Sequence, residues 1–160
     1  MLTANRYIFI ANTDVTLPTV IPANQFTNDE NESIVEFTDL DQEADVIFDT
    51  NGILKPGITH VTGTTEIAVT NPGSYEVTFS ASGVETNQFA LCVNGIPVTG
   101  TVYGSGAGTQ LNNGQAIIAL DASDVLTLRS HSSAAAVTLQ TLAGGTQTNV
   151  NASVIIKKIS

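Results

Sequence analysis

Glycine-bearing turn pairs cut this chain into pieces too short for helices. Asn51-Gly52, Pro56-Gly57, Pro72-Gly73, Asn94-Gly95, Asn113-Gly114 and Gly144-Gly145 punctuate it, and the runs between them alternate apolar with polar residues and favour β-branched and aromatic side chains. No window of about eleven residues or more shows the 3.6-residue recurrence of an amphipathic helix. The chain reads as all-β, with strands expected at 7–11, 34–37, 46–49, 65–70, 74–82, 88–94, 96–103, 114–120, 125–131, 137–142 and 151–159. About ten strands at a spacing of eight to twelve residues predict an antiparallel β-sandwich or jelly roll. Asn94-Gly95, between FALCV and IPV, is the strongest hairpin signal, because a two-residue primed turn needs positive φ at both central positions.

Within SYEVTFSAS the alternation is clean: Tyr75, Val77, Phe79 and Ala81 form an inward face, while Glu76, Thr78, Ser80 and Ser82 face away. The last strand departs from this pattern. Val154 and Ile156 point one way, Ile155 and Ile159 the other, so both of its faces are apolar. Ala116-Ile117-Ile118-Ala119-Leu120 shares the anomaly, and Ala134-Ala135-Ala136-Val137 shares it more weakly. Leaving such side chains in water forgoes about 1.5–3 kcal/mol apiece and makes a patch that monomers seldom carry. Either an amino-terminal arm folds over the outer face or another copy of the chain covers it, and self-association is the expectation. The candidate interface comprises Ile155, Ile159 and Ile117 with the outward-facing Glu76, Thr78 and Ser80.

Two segments are expected in the chain: an amino-terminal arm over 1–45, partly strand and partly loop, and a jelly-roll domain over 46–160. Residues 12–33, with two prolines and an acidic, amide-rich run, offer little to bury and read as a loop or arm. Ten of the fifteen acids precede residue 50, and no Lys or Arg lies between Asp14 and Asp49. With a net charge of −10 and no basic stripe, nucleic acid is excluded as a partner. The run Tyr7-Ile8-Phe9-Ile10-Ala11 is far shorter than a signal-peptide core or a membrane span, so neither a cleavable signal peptide nor membrane insertion is expected.

The chain is poor in the groups that do chemistry. Gly104-Ser105-Gly106-Ala107-Gly108 lacks the Lys-Ser/Thr and the following helix of a phosphate-binding loop, and does not match a nucleophile elbow, so it reads as a strand connection. His60 and His131 have no cysteine or aspartate at motif spacing and read as surface or hydrogen-bonded histidines. Cys92, the only cysteine, reads as a small packing residue, with an intermolecular disulfide as the alternative. Asp39, Asp41, Glu43 and Asp45 place oxygens at every second position, a weak calcium candidate. The glycine and closing glutamate of an EF-hand loop are missing, and a solvated acidic face is the stronger reading. Asn31-Glu32-Ser33 and Asn151-Ala152-Ser153 match the N-glycosylation pattern, which chance explains. No nucleophile, base and orienting group can be assembled from these residues, so no catalytic residue, cofactor or enzymatic activity is expected.

From about residue 71 onward, NPGSYEVTFSASG, QFALCVNGIPVTGTVYGSGAGTQ and GQAIIALDASDVLTLRSHSSAAAVTLQTLAGGTQTNVNASVIIKKIS follow one another. This stretch closely resembles the C-terminal domain of BclA-type collagen-like exosporium glycoproteins of spore-forming bacilli, most specifically in VYGSGAGTQ and HSSAAAVTLQTLAGGTQTNVNAS. The resemblance implies a jelly roll of the tumour-necrosis-factor and complement-q kind that assembles as a homotrimer at the spore surface, in contact with other spore-surface proteins. It also implies that the final strand lies in the middle of the inner sheet, with one face on the core and the other on the trimer partners. The family's Gly-X-Y stalk does not occur in these residues, so a stalkless basal-layer protein or a tip subunit is the implied form. The expected function is therefore a non-enzymatic structural protein of the exosporium or a spore appendage. The alternative is a phage-type fibre tip or decoration protein that binds a surface carbohydrate or protein receptor.

Overall fold

A computed structural model describes residues 6–12 and 38–160. The strand expected at 34–37 and nearly all of the loop expected at 12–33 lie outside the described residues. The strands, in chain order, are β1 (Arg6–Asn12), β2 (Thr38–Leu40), β3 (Thr50–Asn51), β4 (Ile58–His60), β5 (Ile67–Val69), β6 (Gly73–Ser82), β7 (Asn87–Val93), β8 (Ile96–Pro97), β9 (Tyr103–Ser105), β10 (Leu111–Leu120), β11 (Val125–Ser130), β12 (Val137–Leu139) and β13 (Ala152–Lys158). One sheet runs β10-β6-β13-β1-β3, a second runs β4-β5-β11-β7-β8 with β9 also on β7, and β12 pairs with β2. Every pairing is antiparallel. The described residues contain no helix. The fold is an all-β antiparallel jelly roll.

The core lies between the two sheets. Tyr75, Val77, Phe79, Val154 and Ile156 come from one side and Phe89, Leu91, Leu126 and Leu128 from the other, all buried. The inward set expected for β6 is the set the core uses. Residues 6–12 and 38–45, assigned by sequence to an extension, are hydrogen-bonded into this body. β1 pairs with β13 from Arg6↔Lys158 to Asn12↔Ala152, and β2 pairs with β12 from Thr38↔Leu139 to Leu40↔Val137.

Where strands differ from expectation, a specific partner is the cause. Asn94 and Gly95 turn the β7–β8 hairpin with φ of 51° and 79°, as a primed turn requires. The strand expected at 96–103 is split, because the buried Thr101 hydroxyl accepts from Leu91 N at 3.2 Å, the place of a ladder carbonyl. Residues 46–49 pair one residue at a time, through Val46 N donating to Leu128 O at 2.8 Å and a bridge between Phe48 and Thr64. Asn51 does not turn at Gly52. It sits in β3, and its Nδ2 donates to the His60 carbonyl at 3.1 Å, which links β3 to β4 across the two sheets.

Asn113-Gly114 is not a turn either, since both residues lie inside β10, with Gly114 opposite Phe79. The rings of Phe79 and Tyr103 meet edge to face, with centroids 5.8 Å apart. A Cβ on Gly114 would lie 2.6 Å from the Tyr103 ring and closer still to Phe79. The glycine therefore makes room for an aromatic pair. Gly114→Ala should cost about 1–3 kcal/mol, the usual range for overpacking. Urea unfolding would show this as a lower midpoint at unchanged slope. Adding Phe79→Leu to Gly114→Ala should cost less than the two single changes summed, because the clash is removed.

Candidate self-association face

The outer surface of the first sheet is built by the register of three strands. Ile117 on β10, Glu76 on β6 and Lys157 on β13 form one cross-strand row, Gln115, Thr78 and Ile155 the next, and Asn113, Ser80 and Ser153 a third. These rows interleave with the inward ones because side chains alternate along a strand. The two-faced last strand is thereby resolved. Val154 and Ile156 are fully buried, whereas Ile155 is 44% exposed, Ile159 43% and Ile117 71%. Thr78 and Ser80 are half-buried between them, and Glu76 lies exposed with its carboxylate 3.7 Å from Lys157 Nζ. Of the residues expected together at the interface, Ile155, Ile117, Glu76, Thr78 and Ser80 lie on this one sheet face. Ile159 lies just beyond the end of β13.

The same surface continues to an edge that sequence analysis did not single out. β10 ends the sheet, and its residues LNNGQAIIAL carry no charge and no proline. Edge strands are ordinarily blunted by such residues, since unpaired N–H and C=O groups invite another chain. Tyr103 donates its hydroxyl to the Gln115 carbonyl at 2.7 Å. Leu111, also on β10, is 56% exposed. Face and edge together form an apolar surface set with neutral polar groups and one ion pair, Glu76 with Lys157.

The acidic run has a different destination. Asp39 lies in β2 opposite Thr138, and Asp41 opens a turn closed by Ala44 N on its carbonyl at 3.1 Å. Glu43 accepts from His131 Nδ1 at 2.8 Å and from Ser132 N at 2.9 Å. These hydrogen bonds, the histidine's first, hold its carboxyl below the ordinary carboxylate value. Asp45 takes Arg129 Nε and a second guanidinium nitrogen at 2.7 and 3.0 Å, and this pairing pushes the Arg129 pKa above its usual value. Arg129 also donates to the Gly95 carbonyl at 3.0 Å, which ties the segment around Asp45 to the β7–β8 turn. Among the described residues, no three His, Cys, Asp or Glu side chains converge in a metal-binding arrangement.

The remaining chemical candidates are internal. His60 is buried, its Nδ1 facing Asn51 Oδ1 at 2.6 Å and its Nε2 facing the Thr64 carbonyl at 3.1 Å. Cys92 is fully buried, and burial pushes its thiol pKa up. Asn151 is buried, which leaves no room for a glycan in the folded chain.

A sequence model of the family described as the BclA C-terminal domain matches residues 25–160. No curated protein matches the sequence. Among solved structures, the fold is similar to the globular domain of zebrafish complement 1qA protein, at TM-score 0.60 and 11% identity over 96% of this chain and 95% of that one. Murine APRIL is similar at TM-score 0.59 and 12% identity over 97% and 99% of the two chains. Eiger TNF from S. frugiperda is similar at 0.54 and 11% over 98% and 93%. At these identities the likeness is one of fold.

Because the Glu43 carboxyl is depressed in the folded chain, its contribution to stability is present above the unfolded value and is lost as pH falls through the lower folded one. Glu43→Gln should therefore melt below the parent at pH 7. The gap should close once the pH falls well below the ordinary value of 4.5. Melting temperatures of both proteins across a pH series would test this, and a gap that persists unchanged at low pH would refute it.

Proposed function

The chain belongs to the BclA C-terminal domain family, and from that premise we propose that it is a non-enzymatic structural protein of the bacterial spore surface, in the exosporium or an appendage, which assembles as a trimer. The observation that carries the reading is the uncovered face of the first sheet, where Ile117 and Ile155 stand at 71% and 44% exposure. On an open sheet face such residues call for a cover. Burial of each would contribute up to about 1.5–3 kcal/mol.

Three identical chains closed around an axis meet through heterologous contacts, in which one patch meets a different patch on the next copy. The surface offers two such patches side by side, the sheet face around Ile155 and Thr78 and the neutral edge of β10. Packing the edge of one copy against the face of the next buries both, and a rotation of about a third of a turn per copy would close the ring at three chains. In this reading the protein works through durable assembly and contacts with other spore-surface proteins.

Light scattering at micromolar concentration should give the mass of three chains. Ile155→Asp should give single chains that retain a β-sheet circular dichroism spectrum, since a buried unpaired carboxylate opposes association. A parent protein that stays strictly monomeric, or an Ile155→Asp variant that remains three chains, would overturn the assembly. Immunogold labelling of spores should place the protein on their surface. Labelling confined to phage particles would instead favour a fibre-tip role.

A further inference from the structure

We propose that a depression on the second sheet binds a neutral sugar. It has a volume of about 410 Å³ and is lined by the start of β7, the end of β9 and the loop that follows β11. None of its lining residues lies on β6, β10 or β13, so the site is separate from the proposed assembly face. Its size falls in the lower part of the range for small-molecule sites, roughly 300–1,000 Å³, which suits one or two sugar rings.

The lining fixes the ligand class. It contains no charged and no aromatic side chain, only hydroxyls, amides, glycine backbone and a single alanine. An anion would meet no cation there, and the chain as a whole carries a charge of −10. A metal ion would meet no free carboxylate, and an apolar ligand would strand the polar lining without partners. A neutral, polyhydroxylated molecule matches the donors and acceptors on offer. Among the described residues, the Ser132 hydroxyl and the exposed Gln88 carboxamide make no internal hydrogen bond, and both are open to a ligand. Ser105 Oγ donates to the Ala107 carbonyl at 2.8 Å, which leaves its lone pairs to accept.

The wall is also held in place by contacts that a mere surface dip would not need. Ser132 adopts φ of 59°, a left-handed conformation that is costly for a residue with a Cβ. Its N–H is fixed by Glu43 Oε1 at 2.9 Å, and the adjacent His131 ring is fixed by the other oxygen of the same carboxylate. Ser133 is buried beneath it, accepting from Gln88 N at 3.0 Å and donating to Gln88 O at 3.1 Å, while its own carbonyl takes Gln42 Nε2 at 2.8 Å. On the opposite wall Gly104 stands across from Gln88, and a Cβ there would lie 3.1 Å from Gln88 Cγ, so the glycine admits the glutamine stem. Gly106 has open space where a side chain would be. The pocket is thus preformed, with its strained element buttressed from behind. Without an aromatic ring to stack on, a single site should bind weakly, with a Kd of about 1–10 mM. Several sites on one assembly would add avidity, a gain that rests on the proposed association.

Saturation-transfer NMR on the full chain with N-acetylglucosamine and with methyl galactoside tests the site. The free sugar represents a soluble monosaccharide, and the methyl glycoside the blocked end of a glycan. A saturable signal with either, weakened at least about tenfold in Gly106→Trp at unchanged melting temperature, is the expected result, because the indole fills the open space without touching the core. The absence of signal with both sugars at about 100 mM, roughly ten times the weakest Kd above, or binding that survives Gly106→Trp, would overturn the proposal. Neither result bears on the mass measured by light scattering, so the two readings fail independently.

Discussion

The register of β13 against β6 is the constraint on which the rest depends. Ile156 stands opposite Val77 and Val154 opposite Phe79, and all four are fully or almost fully buried between the sheets. A slip of one residue would send these side chains outward and bring Ile155, Lys157 and Ser153 into the core. The slip is opposed from both flanks, since β13 also pairs along its length with β1. A strand locked on both edges and filled on one face has only its other face left to offer. That surplus gives the chain its apolar exterior.

Much of this was legible because sheets advertise themselves by a period of two. The inward set on β6, the Asn94-Gly95 turn and the two-faced last strand could be read directly, each governed by residues adjacent in the chain. What escaped reading is governed by distant partners. Gly114 looks like half of a turn until the Phe79 and Tyr103 rings are seen above it. Asn51 looks the same until His60 claims its side chain. The strand at Ile58–His60 was missed because its three residues are too few to display alternation. Of the interface candidates, the composition of the face was readable and the uncharged edge of β10 was not, since edge position is a property of topology.

The acidic run illustrates the same limit for electrostatics. Alternate carboxylates suggest either an ion site or a solvated surface. In the fold, Glu43 and Asp45 instead find His131 and Arg129, partners more than eighty residues away in sequence, at separations of 88 and 84. Charges that look unopposed along the chain are opposed across it. These pairs fasten the 43–46 segment along the carboxyl-terminal half of β11, beyond the stretch that pairs with β5. They also set the shape of the loop that follows β11.

Cys92 lies opposite Thr127 on the same sheet, fully enclosed. Oxidants reach a thiol by contact, and the thiolate is the reactive form. Here the sulfur is both out of reach and disfavoured as an anion. Its oxidation is therefore gated by the rare openings in which β7 and β11 part. The rate at which this one thiol is lost thus reports how often the sandwich opens.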